Sequence, residues 1–467
     1  MLFSSSVFLW VFLPTAIIIN FFIKPKYSNI WLLLASLFFY AWGEPICVLL
    51  MLFSIVLNWS FGIWINGTKK YRKLLLVLCV VVNLAVLGYF KYFNFFVGIL
   101  NNIAGTALIS AKEIALPIGI SFFTFQALSY VIDLYRGDCK VQKNVLNLAL
   151  YVSFFPQLIA GPIVRYHSID EQIENRTVTV EKFASGFRRF LYGLGKKIII
   201  SNAAAELADS IFALPVGNLT TLTAWFGAVA YMIQIYYDFS GYSDMAIGLG
   251  RIFGFEFLEN FRYPYLSRSI QEFWNRWHIS LGTWFKEYVY IPLGGNRKGT
   301  IHTYINLIAI FFLTGMWHGA SWNFIVWGLY HGFFQILERI GLKNFLSKHE
   351  LLSRIYCLAV VLFGWVMFRA NTLRGSARYI LRMIAPWRYG FENMFVIPAE
   401  LTLRNGLILI IALMGCGWIQ SLADRYPVVS QKWKGSYMEL IYLAVICMYC
   451  TVLLAAGTYN PFIYFRF

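Results

Sequence analysis

From Met1 to Ile23 the chain carries no charged side chain, and apolar runs of similar character return at about 28–42, 46–65, 74–98 and 114–135. More follow at about 219–237, 303–325, 323–341, 351–368, 402–420 and 437–456. A run of roughly 20 apolar residues is long enough to cross a bilayer as a helix. The chain is 59% hydrophobic and only 13% charged, about half the charged share of soluble domains. No soluble core could hide that much apolar surface, so the sequence describes an all-α, polytopic membrane protein. About eleven helices span or dip into the membrane, in a single membrane domain over 1–467 with no linker and no internal repeat. The first run has no basic residue ahead of it and no small-residue cleavage pattern, so it reads as an uncleaved span.

The net charge of +17 would suggest a nucleic-acid partner in a soluble protein. Here the basic residues lie in short loops between the apolar runs, where positive-inside topology accounts for them. Lys24 and Lys26, then Lys69, Lys70, Arg72 and Lys73, then Arg136, Lys140 and Lys143 mark three returns to the cytoplasm. Gly43-Glu44-Pro45 and the polar stretch 99–113 face outward. The seven cysteines are scattered through apolar segments. Cys447 and Cys450 have no second pair or nearby histidine, so neither a disulfide framework nor a zinc site is expected.

Three stretches break the pattern. In 145–165, Phe154-Phe155-Pro156-Gln157 and Gly161-Pro162-Ile163-Val164-Arg165 interrupt an apolar run twice. That is the mark of a re-entrant segment near a cavity or of a proline-kinked span. Phe187 to Ile200 mixes Arg188, Arg189, Lys196 and Lys197 with apolar residues, as a basic amphipathic helix at the cytoplasmic interface does. Tyr237-Asp238-Phe239-Ser240-Gly241-Tyr242-Ser243-Asp244 is polar inside a long apolar context.

Six histidines occur. His167, His302 and His349 sit beside charges in loops and read as solvated. His318 lies in the middle of an apolar run, where an ionisable side chain is costly and marks a functional site. His278 comes from a separate, tryptophan-rich segment and can converge on it. Two histidines in one cavity can do acid/base chemistry, one taking a proton from a hydroxyl and the other polarising a carbonyl. They can also form a proton relay, but without a fitting carboxylate or thiolate they make a poor metal site. At about 100° per residue, one helix over 313–331 would set His331 on another face from His318. No serine or cysteine is marked as a nucleophile, and no phosphate-binding glycine motif is present.

Trp317-His318-Gly319-Ala320-Ser321-Trp322 and Trp274-Asn275-Arg276-Trp277-His278-Ile279-Ser280-Leu281 resemble the two histidine motifs of the membrane-bound O-acyltransferases. The 237–244 stretch, Phe155 to Pro162, Tyr290 to Arg297 and the opening Phe3-Ser4-Ser5 are similar to the bacterial branch that O-acetylates alginate. The motif-bearing part runs from about 115 to 340. The resemblance implies a ring of helices around a central tunnel, in a bacterial cytoplasmic membrane. It implies an acyl donor from the cytoplasm, an acyl thioester such as acetyl-CoA or an acyl carrier, with no tightly bound cofactor. It implies His318 as the catalytic histidine and His278 as the second. Trp317, Asn323, Asp238, Ser240, Tyr242, Arg276, Trp277 and Lys286 become candidate tunnel-lining residues. The acyl group, acetyl in that branch, would go to a hydroxyl of an exported polysaccharide or wall polymer, or to an extracytoplasmic SGNH-type partner acetyltransferase. A second reading is D-alanyl transfer to teichoic acid from a carrier protein. A third, from another class, is a proton-coupled transporter or channel.

Overall fold

A computed structural model describes residues 1–388 and 401–463. The described residues form helices and no strand, and they divide into two compact units.

The first unit comprises Met1–Phe190 and Met245–Leu258. Its helices are α1 (Leu13–Phe22), α2 (Pro25–Ala41), α3 (Cys47–Gly67), α4 (Arg72–Ala104), α5 (Ile120–Arg136), α6 (Val145–Ser153), α7 (Phe155–Leu158) and α8 (Asp170–Asn175). α9 (Val180–Gly195) leads out of it. Helices in lipid gain nothing from burying apolar area against one another, so close approach and polar pairs hold them. α3 and α4 show this. Asn58 and Asn83 exchange amide hydrogen bonds at 3.0 and 3.1 Å, both buried. Gly62 lets α3 approach Tyr130 of α5, since a Cβ there would fall 2.5 Å from the phenol oxygen.

The basic clusters assigned to one side lie together. Arg72, opening α4, donates to Leu134 and Tyr135 carbonyls at the end of α5. Asn29, just after Lys26, bonds Asn147, just after Lys143.

The stretch 145–165 doubles back so that its two ends lie together. It departs at Gln142 and comes back at Tyr166, and those two side chains are hydrogen-bonded at 3.3 Å. A crossing span would separate its ends by the membrane thickness. The tip, α7, reaches the far end of α5, where Gly119 adopts a left-handed φ of 76° and a Cβ would lie 2.8 Å from the Leu158 carbonyl. Its freed backbone groups find partners. Phe155 N–H donates to Ser36 Oγ, and the Gln157 amide donates to the Tyr151 carbonyl. Phe3, Phe8, Phe12 and Phe39 surround Phe155, with ring centroids 5.2–6.5 Å away.

His167, read from sequence as solvated, is instead tied down just past this hairpin. Its Nδ1 lies 2.9 Å from the buried carboxylate of Asp133 on α5. The sequence missed this because the partner is 34 residues away.

The second unit comprises Leu191–Asp244 and Glu259–Phe467. Its helices are α10 (Asn202–Ala213), α11 (Thr221–Ile252, whose last turns belong to the first unit), α12 (Ile270–Arg276), α13 (Ile279–Phe285), α14 (Thr300–His318), α15 (Trp322–Leu337), α16 (Lys343–Leu346) and α17 (Glu350–Arg369). They continue with α18 (Leu373–Ile384), α19 (Leu403–Gly415), α20 (Trp418–Arg425), α21 (Pro427–Trp433) and α22 (Tyr437–Ala455). Among the described residues α3, α4, α14, α17 and α22 are each long and apolar enough to cross a membrane, and α19 with α20 forms a pair bent by 46° that would make a sixth span.

α14 and α15 make an antiparallel hairpin turned at Gly319–Ser321, so 313–331 is not one helix. Gly315 on α14 faces Gly328 on α15, whose Cβ would lie 3.2 Å from the Gly315 Cα. A Cβ at Gly315 would sit 2.3 Å from the Phe324 carbonyl oxygen, and one at Gly328 2.2 Å from that of Phe311. The two backbones touch because the small residues allow it.

α11 runs straight through Tyr237–Asp244, past the point where the apolar run ends. Several of its polar side chains have partners in this unit. Asp238 pairs with Lys197, Tyr237 donates to the Ala412 carbonyl, and Asp244 accepts from Lys196 at 2.6 Å.

Candidate active site

α12 and α13 are separated by two non-helical residues, Trp277 in extended backbone and His278. Its φ of 45° and ψ of 51° place it in the left-handed region, rare for a side chain with a Cβ, and break the helix into an elbow. A non-glycine residue persists there only where its surroundings over-determine it. The start of α12 is fixed in turn. Ser269 Oγ accepts from Glu272 N–H. The buried Glu338, just beyond α15, accepts from Ile270 and Gln271 N–H at 2.6 and 3.1 Å.

The other side of the elbow is held by Asn260, which is fully buried. Its Oδ1 accepts from Ser280 N–H at 3.1 Å and Ser280 Oγ at 2.9 Å, and it lies 3.2 Å from His278 Nδ1. Its Nδ2 donates to Ser243 of α11 at 3.0 Å. Its main-chain carbonyl accepts from Ile279 N–H. The Nε2 of His278 has no hydrogen-bond partner among the described residues.

His318 is the last residue of α14, at the turn of the hairpin, and is buried. Aromatic rings surround it: Trp317 at 4.9 Å, Trp327 at 5.1 Å and Phe368 at 5.2 Å between centroids. Trp317 also lies 5.7 Å from His278. One indole therefore touches both imidazoles, which lie no further apart than those two distances added.

His331 returns along α15 to the same neighbourhood. Its ring is 5.3 Å from Trp327, the indole that also packs on His318, and 5.2 Å from Trp274. Neither of its nitrogens has a hydrogen-bond partner among the described residues. The single-helix geometry that set it apart from His318 does not apply, because the chain doubles back.

His278 lines a cavity of about 440 Å³ together with Trp274, Asn275, Lys286, Gln335 and Arg339. Gln271 and Asn275 also line a second pocket of about 390 Å³ that adds Arg268 and Lys343. Of the residues expected along a tunnel, Lys286 is in the cavity and Trp317 is between the two histidines. Others are engaged elsewhere. The Asp238 carboxylate holds Lys197 and the Ile463 N–H. Asn323 donates to the Ala370 carbonyl. Arg276 pairs with Glu272 at 2.8 Å. Trp277 packs on Trp365 and Phe273, and the Tyr242 ring lies 4.9 Å from Phe462. Ser240 is buried on α11. Among the described residues no three His, Cys, Asp or Glu side chains are placed to hold a metal ion.

Asn260 and Glu338 were not singled out by the sequence. Asn260 carries no motif of its own, and Glu338 reads as an ordinary charge after an apolar helix.

The site thus brings two buried histidines to one indole, with Lys286 and Arg339 in the wall of the cavity beside His278. Residues 138–377 match the model of MBOAT, the membrane-bound O-acyltransferase family. Over the whole length of both chains, the sequence is 41% identical to the probable alginate O-acetylase AlgI of Pseudomonas putida. It is 36% identical to the peptidoglycan O-acetyltransferase of Helicobacter pylori, over 82% of this chain and 80% of that one. It is 32% identical to the teichoic acid D-alanyltransferase of Bacillus subtilis, over 46% of this chain and 56% of that one. The chain belongs to the membrane-bound O-acyltransferase family. It is a membrane O-acyltransferase that uses an acyl donor, and the transporter reading falls away.

Proposed function

We propose that this protein moves an acetyl group from a cytoplasmic thioester, through one multi-spanning domain in a bacterial cytoplasmic membrane, to a hydroxyl of an exported polysaccharide or wall polymer. The final acceptor is reached directly or through an extracytoplasmic SGNH-type partner. The observation that carries the reading is the cavity at His278, with Lys286 and Arg339 in its wall. Because α14 and α15 are antiparallel, the end of α15 with Arg339 and Lys343 lies on the side where α14 begins, beside Arg297 and Lys298. That concentration of basic residues is the cytoplasmic signature. A phosphate-bearing thioester entering from that side meets cations first and His278 next. His318 lies at the opposite end of α14, the end from which an acceptor would come.

The chemistry needs little else. The acceptor hydroxyl loses its proton to an imidazole as its oxygen attacks the thioester carbonyl. The tetrahedral oxyanion collapses, the C–S bond breaks, and the thiolate leaves and takes up a proton. A buried imidazole is suited to both proton movements at neutral pH.

Over the whole length of both chains the likeness is to an O-acetylase, whereas the likeness to the D-alanyltransferase covers 46% of this chain. That favours acetyl over D-alanyl. The test is reconstitution in proteoliposomes with radiolabelled acetyl-CoA, acetylated carrier protein and D-alanyl carrier protein offered separately. Labelled glycan or labelled partner from an acetyl thioester supports the reading. Label only from the D-alanyl carrier overturns it.

A further inference from the structure

We propose that the arginine row on α18 is a docking surface for an anionic polysaccharide, one that carries carboxylates along its chain, at the outward end of the second unit. The acceptor polymer of the reaction read above then belongs to that class. The proposal rests on that reading only for the direction in which the acyl group travels.

Two helices fix the side on which α18 lies. α17 begins at Glu350, whose carboxylate accepts from Arg268 at 2.6 Å, at the end where Lys343 bonds Gln271. Its 20 residues span about 30 Å at 1.5 Å each, the thickness of the hydrocarbon. It finishes beside His318. The Phe368 ring is 5.2 Å from that imidazole, and the Ala370 carbonyl accepts from Asn323 at the start of α15. α11 agrees. Its first turn lies against α18: Thr221 Oγ1 donates to the Arg382 carbonyl at 2.9 Å, Tyr379 to the Ala224 carbonyl at 3.0 Å, and Trp225 to the Met383 carbonyl at 3.0 Å. Asp244, paired with Lys196, is on the same helix, roughly 35 Å further along. α18 is therefore a membrane thickness away from the basic rim where α14 begins, on the side where α14 ends.

Basic residues are scarce in short loops on the outward side of a membrane protein. Here they gather. Arg374, Arg378 and Arg382 recur every fourth residue on α18, and Arg388 follows it. No Asp or Glu occurs between Glu350 and Glu392. Arg369, just before α18, has its carboxylate in Asp209. Arg374, Arg378 and Arg388 are exposed and have no carboxylate partner among the described residues. Arg382 is half-buried and donates to the Gly217 carbonyl. Residues four apart are about 6 Å apart along a helix axis, and residues eight apart are turned by only about 80°. The three side chains therefore leave the helix in one row.

A basic amphipathic helix can instead lie on lipid, with its apolar face in the acyl boundary. The apolar face of α18 is covered by protein. Ser376, Tyr379 and Met383 are buried, and the Tyr379 ring stacks on Phe212 at 4.5 Å. What is left facing outward is the row of cations. A guanidinium takes a carboxylate by two parallel hydrogen bonds. A sugar chain with a carboxylate on each residue offers anions at an interval close to that of the arginines. A chain charged through phosphodiesters in longer repeats spaces them more widely, and an acidic protein surface has no such period. Six residues separate Phe368 from Arg374, so their Cα atoms are at most about 21 Å apart. A polymer lying along α18 thus passes near the His318 end of the α14–α15 hairpin.

Binding without turnover tests this. The whole chain, in nanodiscs of zwitterionic lipid, is titrated with an oligouronate and with the same oligosaccharide after its carboxyls are reduced to alcohols. Wild type should bind the first, more weakly as salt rises, and not the second. Arg374→Gln/Arg378→Gln should weaken that binding about tenfold, since each exposed pair contributes modestly. Its melting temperature should stay in place, because neither side chain has a partner in the fold to lose. Equal binding of the two sugars, or an unaltered Kd in the double variant, overturns the proposal. So does tighter binding of a glycerol-phosphate polymer. Arginine-dependent binding to phosphatidylglycerol nanodiscs or to an acidic protein, with no binding of the oligouronate, overturns it too. Arg378→Cys should react with a membrane-impermeant maleimide in intact spheroplasts, above the wild-type background. Reaction only after lysis would put α18 on the wrong side. If the oligouronate binds as expected but His318→Gln transfers label at the wild-type rate, the functional reading fails and the docking surface stands. If labelled acetyl reaches a glycan and the oligouronate does not bind, the reverse holds.

Discussion

The two motif histidines are held by opposite means. His318 is held by packing: a glycine-lined hairpin whose backbones touch, and three aromatic rings around the imidazole. His278 is held by hydrogen bonds: a left-handed elbow clamped to Asn260, which is itself tied to Ser243, with Glu338 capping the helix before it. Packing tolerates no added atom but needs no specific chemistry. A hydrogen-bonded clamp tolerates small changes of shape but needs its donors and acceptors in place. The difference is between a histidine surrounded by aromatic rings at a close-packed turn and one whose Nδ1 lies 3.2 Å from a buried amide oxygen.

The comparison can be broken at its packed side first. Gly328→Val adds a Cβ 2.2 Å from the Phe311 carbonyl, where backbone cannot yield. The cost should exceed the roughly 1–3 kcal/mol of ordinary overpacking, and the protein should fail to run as a monodisperse peak in detergent. Asn260→Ala, on the clamped side, should remain folded and melt only a few degrees lower, having lost a buried hydrogen-bond hub worth about 1–3 kcal/mol. Equal damage from both would erase the distinction.

Next in size is chemistry. His318→Ala should lower acyl transfer by about 10²–10⁴-fold while leaving the melting curve in place, as measured by initial rates with labelled thioester. A smaller effect is expected at the helix cap. Glu338→Gln can accept from only one of the two N–H groups that the carboxylate now serves. The loss of about 1 kcal/mol should loosen the elbow and reduce kcat by a few-fold without moving KM. Smallest is the cavity rim. Lys286→Ala should raise KM for the thioester several-fold with kcat nearly constant, since it removes binding that ground and transition states share. A fall in kcat alone would take Lys286 out of donor binding.

The same contrast explains what could be read in advance. Apolar runs and basic loops displayed the helical membrane class, because hydrocarbon leaves few ways to satisfy a backbone. His318 stood out by sitting uncharged company-wise alone in such a run, and Trp277-His278 stood out by its tryptophans. The break between the runs 303–325 and 323–341 was legible but fell a few residues late, because no proline or charge marks 313–331 and the turn at Gly319 rests on glycines that matter only once two helices touch. Asn260 and Ser243 were hidden because their partners lie 18 and 17 residues away, beyond any local periodicity. Tyr237–Asp244 was visible as an oddity, but its purpose was not. Asp238, Ser243, Asp244 and Tyr237 each serve a different neighbour: Lys197, Asn260, Lys196 and the Ala412 carbonyl.

The central claim is that His278 and His318, joined through Trp317, serve one reaction. Initial rates of acyl transfer for His278→Gln, His318→Gln and the double variant test it most directly. Residues that act as a unit are strongly non-additive. The double variant should therefore be no slower than the slower single one, within about threefold. Losses that multiply, or a single variant at the wild-type rate, would contradict the claim.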